Sequence, residues 1–193
     1  MPSVEAREAP LSITARWRRL DTPGQDLCRL SPTASGWRLE GRAEFRDTRG
    51  PADLAYRVDA DGGWRTVSGE VRGTVGSAAL HLAIERGADG RWTAASARVP
   101  ALDGLIDLDL AFTPATNIFP IRRLALAVGD CIEAEAAWLN DASWTFERLA
   151  QRYDRVDRDY YRYESPAGGY RGLLRVDADG FVIEYPGLWT RAD

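Results

Sequence analysis

The chain is organised around one segment, Ala111-Phe112-Thr113-Pro114-Ala115-Thr116-Asn117-Ile118-Phe119-Pro120-Ile121-Arg122-Arg123-Leu124. Each of its two prolines fixes a backbone angle and removes an amide donor. Each also favours extended geometry in the residue before it. We therefore predict a rigid corner here, and neither a helix interior nor a central strand. Polar side chains held on a stiff turn among apolar residues are typical of a binding loop.

Outward from this corner, the sequence is dominated by alternating runs and turn residues. Asp-Gly pairs at 61–62, 89–90 and 179–180 each separate two such runs, which is a strong signal for a β-hairpin. Gly69, Gly73 and Gly76 fall within strand-like sequence, where glycines often mark bulges or bends that let a sheet curl. The segment 144–163 fits a helix or a strand over its first half, and we predict a strand over its second half.

Two strands near the corner alternate strictly. Asp107 and Asp109 oppose Ile106, Leu108 and Leu110, while Glu133 and Glu135 follow the same pattern further along. Paired carboxylates are also the groups that glycoside hydrolysis requires. Because alternation of this kind is typical of a strand with one wet face, we predict that these carboxylates are solvated and that hydrolysis is the least favoured function.

Many short strands with glycine turns and almost no helical pattern predict an all-β barrel, roll or sandwich. No linker divides the 193 residues. We predict a single domain over residues 1–193, with residues 1–10 frayed.

Composition restricts the function classes. The net charge is −4, the pI is about 5.2, and all 25 basic residues are arginines scattered along the chain, so the chain lacks the cationic excess of a nucleic-acid-binding protein. Cys28, Cys131 and His81 are too few ligands for structural zinc, and we expect no cofactor. No signal peptide and no run of about 18 apolar residues occurs, so we predict no transmembrane segment, a cytoplasmic location and reduced thiols.

Five sequence words, in register, carry a resemblance to a known family. They cover the C-terminal half and are Phe112–Leu124, Glu135–Trp138, Gln151–Tyr153, Tyr161–Ser165, and Val176–Gly180 running on to Tyr185–Trp189. With these words the sequence resembles the bacterial family named putative glycolipid-binding proteins. The resemblance implies a mainly β, single-domain spiral β-roll, an incomplete barrel of long curved antiparallel strands around an apolar groove, with no known catalytic residues.

Arg122 and Arg123 are the first candidate ligand contacts. One of them is expected to clamp a phosphate, a sulfate or a sugar acid. The alternative is an ion pair with a strand carboxylate or with Glu164, which is itself a candidate. Asn117 either bonds a sugar hydroxyl or, as Asn more often does in such a position, caps its own turn.

Four aromatic residues complete the candidate set. Such side chains line a groove with their polar edges towards a head group, although most of them in a β-roll belong to the core. They are Trp138, Tyr163, Tyr185 and Trp189.

The leading hypothesis is therefore non-enzymatic binding of an amphiphile, such as a glycolipid, in an apolar groove. The rival is a protein-interaction or homodimerisation module that uses the concave face or a sheet edge.

Overall fold

The computed structural model describes residues 11–192, so the frayed start predicted for residues 1–10 lies outside the described residues. The strands in this range are β1 (Ile13–Arg19), β2 (Gly24–Pro32), β3 (Gly36–Asp47), β4 (Gly50–Asp61), β5 (Thr66–Val75), β6 (Ala78–Arg86), β7 (Trp92–Ala94), β8 (Ala97–Arg98), β9 (Asp107–Leu110), β10 (Cys131–Asn140), β11 (Thr145–Arg155), β12 (Tyr160–Ser165), β13 (Tyr170–Val176), β14 (Val182–Tyr185) and β15 (Trp189–Ala192). Residues 11–192 contain one α-helix, α1 (Ile118–Leu124). The first half of the ambiguous segment 144–163 is thus a strand.

All strands belong to one sheet of order β8-β7-β6-β5-β4-β3-β2-β1-β15-β14-β13-β12-β11-β10-β9. Every neighbouring pair is antiparallel except β9 and β10, which run parallel. Strands β1 to β8 form an N-terminal meander and strands β10 to β15 form a C-terminal meander. The two meanders join where β1 pairs with β15. The sheet is curved but not closed, because β8 and β9 at its two ends do not pair with each other.

The sheet coils until its last strand reaches the opposite half. The amide of Thr66 on β5 donates to the carbonyl of Ile106 at 3.2 Å, and the amide of Leu108 donates to Thr66 Oγ1 at 3.0 Å. The line along which β5 and β9 meet is called the seam. Strand β5 is the fourth strand from the other edge, so β6 to β8 extend beyond this seam. This geometry confirms the predicted mainly β fold, an incomplete barrel.

The three Asp-Gly pairs lie in hairpin turns, as predicted. Asp61 Oδ1 accepts the amides of Gly63 and Arg65 at 2.9 and 3.0 Å. Asp177 Oδ1 accepts the amides of Asp179 and Phe181 at 3.0 and 2.9 Å. In each of these two turns one aspartate carboxylate thus satisfies the loop amides. The similar words at 58–62 and 176–180 nevertheless do not fold alike, because the bonding carboxylate is the fourth residue of the first word and the second residue of the other.

The interpretation of the strand glycines as bulges is wrong for Gly69 and Gly73. Both keep continuous register with β4 and β6, and the irregularity lies at Asp59/Ala60. Gly69 instead makes room for β9: a Cβ at this position would lie 2.1 Å from Cδ2 of Leu108. Close approach of two strands is the other established use of glycine within a sheet.

The prediction that the corner excludes helix is also wrong. Residues 115–117 form a 3-10 turn that continues into α1. Pro120 is the third residue of the helix, where an amide has no intrahelical partner in any case, so the missing donor costs nothing there. Ile118, Phe119 and Ile121 are buried, and these apolar contacts hold the short helix in place.

The prediction that one face of β9 is exposed to solvent is wrong as well. Asp107 is only 2% exposed and pairs with Arg123 of α1, while Leu108 packs against Gly69 of β5. Strand β9 is therefore covered on both faces. By contrast Glu133 and Glu135 on β10 are exposed, as predicted.

Candidate functional site

Hydrogen bonds from hydroxyl groups connect the segment around Thr113 to the N-terminal meander. Thr113 Oγ1 donates to Asp26 on β2 and accepts the amide of Ala115 at 3.0 Å. The Tyr56 hydroxyl donates to both oxygens of Asp26, at 3.0 and 2.9 Å. Because it is fully buried, Asp26 has a pKa raised to about 7 in spite of these donors. Thr113 is therefore an anchor for the fold.

Asn117 is occupied by contacts within the protein. Its Nδ2 donates to the carbonyl of Pro114 at 3.3 Å, and its Oδ1 accepts the Tyr153 hydroxyl at 3.1 Å. The side chain thus caps its own turn, the alternative that its position in the sequence favoured.

Arg123 forms the ion pair that was the alternative to ligand binding. Its Nε and Nη2 lie 3.0 and 2.5 Å from the two oxygens of Asp107. Burial raises the pKa of Asp107, and the guanidinium opposes that increase. Little of either side chain is exposed, 17% for Arg123 and 2% for Asp107. The pair holds α1 against β9.

Glu164 lies apart from both corner arginines. It pairs with Arg171 of the adjacent strand at 3.0 Å. Along β12, the side chains of Tyr161, Tyr163 and Ser165 are buried while Arg162 is exposed, so Glu164 faces away from the interior.

Five of the eight candidate residues line one cavity of about 260 Å³, which we call the central cavity. They are Asn117, Trp138, Tyr163, Tyr185 and Trp189. The cavity lies between the segment 109–117 and the strands of the C-terminal meander, and it extends to Arg19 at the end of β1.

Three tyrosine rings, packed at tilted and edge-on angles, form one wall of the central cavity. Tyr170 and Tyr185 have ring centroids 4.6 Å apart, and Tyr163 lies 6.0 and 5.9 Å from them. Burial raises the pKa of Tyr163 and of Tyr185 well above the ordinary value, so both phenols stay neutral hydrogen-bonding groups. Gln151 Nε2 donates to the Tyr163 hydroxyl at 3.0 Å.

Two carboxyl groups, those of Asp109 and Asp141, also line the cavity. Asp109 accepts Gln151 Nε2 at 2.6 Å, and enclosure raises its pKa to about 7. Burial also raises the pKa of Asp141, an effect that the charge of Arg19 opposes. The cavity therefore carries little fixed negative charge for its number of acidic groups.

Arg19 and Ser165 line this cavity, and each has one buried polar atom without a hydrogen-bond partner among residues 11–192. Arg19 pairs through Nε and Nη2 with Asp21, at 2.8 and 3.1 Å, and its guanidinium lies 5.3 Å from the Trp189 ring. Its Nη1 and the Oγ of Ser165 are buried without a partner among residues 11–192. Buried polar atoms are normally paired, so these two are exceptions among the residues that line the cavity.

Arg122 belongs to a different cavity, of about 420 Å³, on the other side of the corner. We call it the arginine cavity, because Arg122, Arg155 and Arg158 line it together with Trp64 and Tyr161. The corner residues are thus divided, with Asn117 at the central cavity and Arg122 at the arginine cavity.

A further depression, of about 880 Å³, is an open groove across the surface of β1 to β4. Exposed charged side chains such as Arg16, Arg18 and Asp53 line it. It contains none of the candidate residues and has no enclosed wall.

Comparison with known proteins identifies the family. The family model described as "Putative glycolipid-binding" matches residues 14–191. The chain belongs to this family. The resemblance seen in the five sequence words is thereby confirmed.

One solved relative supports the fold of this family member over its whole length. It is the crystal structure of a DUF1089 family protein from Pseudomonas aeruginosa, with 28% sequence identity and a TM-score of 0.76. The match covers 100% of this chain and 98% of that chain. No curated protein matches the chain.

Among residues 11–192, no helix has the length and apolarity to cross a membrane, and no cluster of acidic, histidine and cysteine side chains has the grouping of a metal site. Cys28 is buried and Cys131 exposed, and both are free. His81 is exposed beside Glu70, at 3.0 Å.

Among the central-cavity residues that sequence reasoning missed are Arg19, Asp109, Asp141, Ser165 and Tyr170. Ser165 ends one of the five family words, and Asp109 alternates with Leu108 and Leu110 on its strand, so both had a usable signal. Arg19 and Asp141 had none, because only the coiling of the sheet brings them to the cavity.

Proposed function

We propose that this protein binds the neutral sugar head group of an amphiphile, such as a glycolipid, in the central cavity and catalyses no reaction. The observation that carries the proposal is that two residues of the cavity lining, Arg19 and Ser165, each hold a buried polar atom, Nη1 and Oγ, that has no partner among residues 11–192. A sugar hydroxyl both donates and accepts, so it can satisfy both of them.

The aromatic wall supports a sugar in preference to another small polar ligand. Tyr163, Tyr170 and Tyr185 present ring surfaces together with neutral hydroxyl groups. Aromatic side chains combine a large apolar surface with a polar edge, and this combination suits a ring that has apolar faces and hydroxyls around its rim.

Charge supports a neutral head group. The only arginine of the cavity is already paired with Asp21, and Asp109 and Asp141 both face the cavity. Among residues 11–192, no cation of the cavity lining is left unpaired for an anionic head group, whereas sugar hydroxyls can donate to either carboxyl group.

Size supports binding of a head group alone. Ligand pockets are usually about 300–1,000 Å³, and the central cavity of about 260 Å³ is slightly smaller. The interior beside it is filled by fully buried rings, such as Phe112, Phe119 and Tyr153. In this proposal the acyl chains stay outside the fold, and the apolar groove expected from the sequence is replaced by a polar cavity for one sugar ring.

The test is binding of monomeric octyl glucoside, with octyl sulfobetaine as the sugar-free comparison, and mass spectrometry of the lipids that copurify with the protein. We expect the glucoside to raise the melting temperature and Ser165→Ala to weaken its binding about two- to tenfold, the loss of one net hydrogen bond. Ser77→Ala, in an exposed turn, is the matched control. The proposal is lost if no glycolipid copurifies and no alkyl glycoside shifts the melting temperature.

The rival interaction module finds less support. Edge strand β8 has only two residues, and β9 at the other edge is covered by β5 through Thr66, so neither edge offers a long row of free backbone groups. Light scattering on the purified protein decides this point. A stable dimer that dissociates on mutation of a cavity residue would favour the rival.

A further inference from the structure

The arginine cavity concentrates positive charge on a protein whose net charge is −4. Three guanidinium groups line it, from α1, from the end of β11 and from the β11–β12 turn. They are Arg122, Arg155 and Arg158. Like charges are brought together at a cost, which an anionic partner relieves.

Arg122 is held in place without being neutralised. Its guanidinium lies 4.9 Å from the Trp64 ring centroid, and Trp64 stacks on Trp37 at 4.5 Å. Within residues 11–192 it forms no ion pair. A guanidinium fixed on an aromatic face keeps its donors available for a bidentate acceptor.

Arg155 forms the rigid base of the cavity. It donates from Nη1 to the carbonyl of Leu126 at 2.5 Å and from Nη2 to the carbonyl of Arg158 at 2.8 Å. Its guanidinium lies over the Tyr161 ring, 5.5 Å from the centroid. Its Nε is buried and, among the described residues, has no partner.

The acidic groups near the cavity are already engaged. Asp177 lines it, but one oxygen pairs with Arg191 at 2.9 Å and the other accepts two loop amides. Asp159 lies 3.8 Å from Arg158, and Asp157 accepts the Arg158 amide. Among residues 11–192, Arg122 and Arg155 therefore have no carboxylate partner, and Arg158 has only its 3.8 Å pair with Asp159.

We propose that the arginine cavity is a second binding site, which takes a tetrahedral oxyanion, the phosphate or sulfate group of a ligand. Arg122 and Arg158 supply charged donors from two sides, and Arg155 closes the base. Guanidinium groups bind such oxyanions in bidentate fashion. This site is independent of the sugar site, because none of its lining residues contributes to the central cavity.

Inorganic phosphate is the probe for this site, and NMR of the Arg122 Nε–H and Trp64 Nε1–H resonances at constant ionic strength is the measurement. We expect saturable shifts. The double variant R122Q/R158Q should weaken binding tenfold or more, as expected for the loss of two charged donors. R18Q/R171Q, which removes the same charge from exposed positions, should bind like the natural protein.

Equal phosphate affinity in the two double variants, or shifts that grow linearly with phosphate concentration and do not saturate, would overturn the proposal. Arg122→Lys adds a second check, because it keeps the charge but loses the planar fork, and it should fall between the natural protein and R122Q/R158Q. Octyl glucoside binding is measured alongside, so a failure here leaves the sugar site untouched.

A second arm identifies the source of the phosphate. Phosphatidylcholine vesicles containing phosphatidic acid are sedimented with the protein, with and without competing inorganic phosphate. Sedimentation that phosphate abolishes and that R122Q/R158Q lacks assigns the site to a lipid head group. Saturable phosphate binding without sedimentation assigns it to a soluble phosphorylated ligand.

Discussion

Asp26 connects the residue scale to the stability of the whole fold. Its carboxyl group receives hydrogen bonds from Tyr56 of β4 and from Thr113 of the corner. It is also fully buried, and burial raises its pKa from 3.8 to about 7. Around neutral pH its protonation state therefore affects how firmly the corner is attached.

Asp26→Asn should flatten the pH dependence of stability. Between pH 3.8 and about 7 the folded state keeps a proton that the unfolded state has released, so the stabilisation is complete below this range and is lost as the pH rises through it. The difference corresponds to a loss of up to roughly 4 kcal/mol. An asparagine side chain does not titrate in this range, so the variant should not show this loss of stability as the pH rises.

The measurement is urea unfolding from pH 4 to pH 8, with Asp89→Asn in an exposed turn as the control. The other buried acids titrate in both proteins, so the informative quantity is the difference between the two curves. If the curves of Asp26→Asn and of the natural protein run parallel, burial has not raised this pKa.

Arg123→Met should destabilise the protein strongly at neutral pH. It leaves Asp107 buried, at 2% exposure, without its cation, and breaking a buried pair on one side costs about 3–5 kcal/mol. The deficit should shrink in acid, where Asp107 becomes protonated and no longer needs a partner. Thermal or urea unfolding at both pH values measures it.

Arg171→Met, which breaks the exposed pair with Glu164, is the control and should cost less than about 1 kcal/mol. The double variant Asp107→Leu/Arg123→Met should regain much of the loss, because neither charge is left alone. A small effect of Arg123→Met would mean that Arg123 is free to bind a ligand, as its sequence position first indicated.

At the scale of elements, the seam between β5 and β9 decides how far the sheet coils. Gly69 on β5 accommodates Leu108 on β9, and two hydrogen bonds at Thr66 run beside this contact. The seam is short, so a single side chain controls the approach of the two strands.

Gly69→Ala should cost about 1–3 kcal/mol, the usual effect of overpacking a core, since its Cβ would lie 2.1 Å from Leu108 Cδ2. Gly62→Ala, whose Cβ would meet nothing within 4 Å, is the control. Adding Leu108→Ala to Gly69→Ala should cost less than the two single changes summed, because they share one contact. Additive costs in urea unfolding would contradict the packing described for this seam.

At the scale of the whole molecule, β1 and β15 join the two meanders into one sheet. Trp17 on β1 donates from its indole to the carbonyl of Val182 at 2.6 Å, and its ring meets Phe181 edge-on. The buried core is likewise continuous from Ala15 to Trp189. Neither meander can keep its apolar face covered without the other.

We therefore predict a single cooperative unfolding transition, as expected for one domain. Differential scanning calorimetry should give one peak, with equal calorimetric and van't Hoff enthalpies. Removing residues 187–193 takes β15 from the middle of the sheet and should abolish folding. Two resolved peaks, or a stable fragment 11–98, would show two domains.

Much of the fold follows from local patterns. The hairpins at residues 61–62, 89–90 and 179–180 depend on turn chemistry within a few residues, and the alternation of β10 predicted correctly that Glu133 and Glu135 are exposed. The same alternation failed for Asp107, because β9 is covered on its polar side by α1. Alternation detects a strand, but it does not show what packs on each face.

The sequence by itself determined that the protein is mainly β, where its hairpins turn, and to which family it belongs, because these depend on neighbouring residues and on short words in order. Only the tertiary structure decided that Arg123 meets Asp107 and that Arg122 lies apart from the aromatic residues around Tyr163. It also brought Arg19, Asp109 and Ser165 to one cavity. Such contacts join positions far apart in the chain, and the coiling of the sheet, which no local pattern encodes, sets which of them face each other.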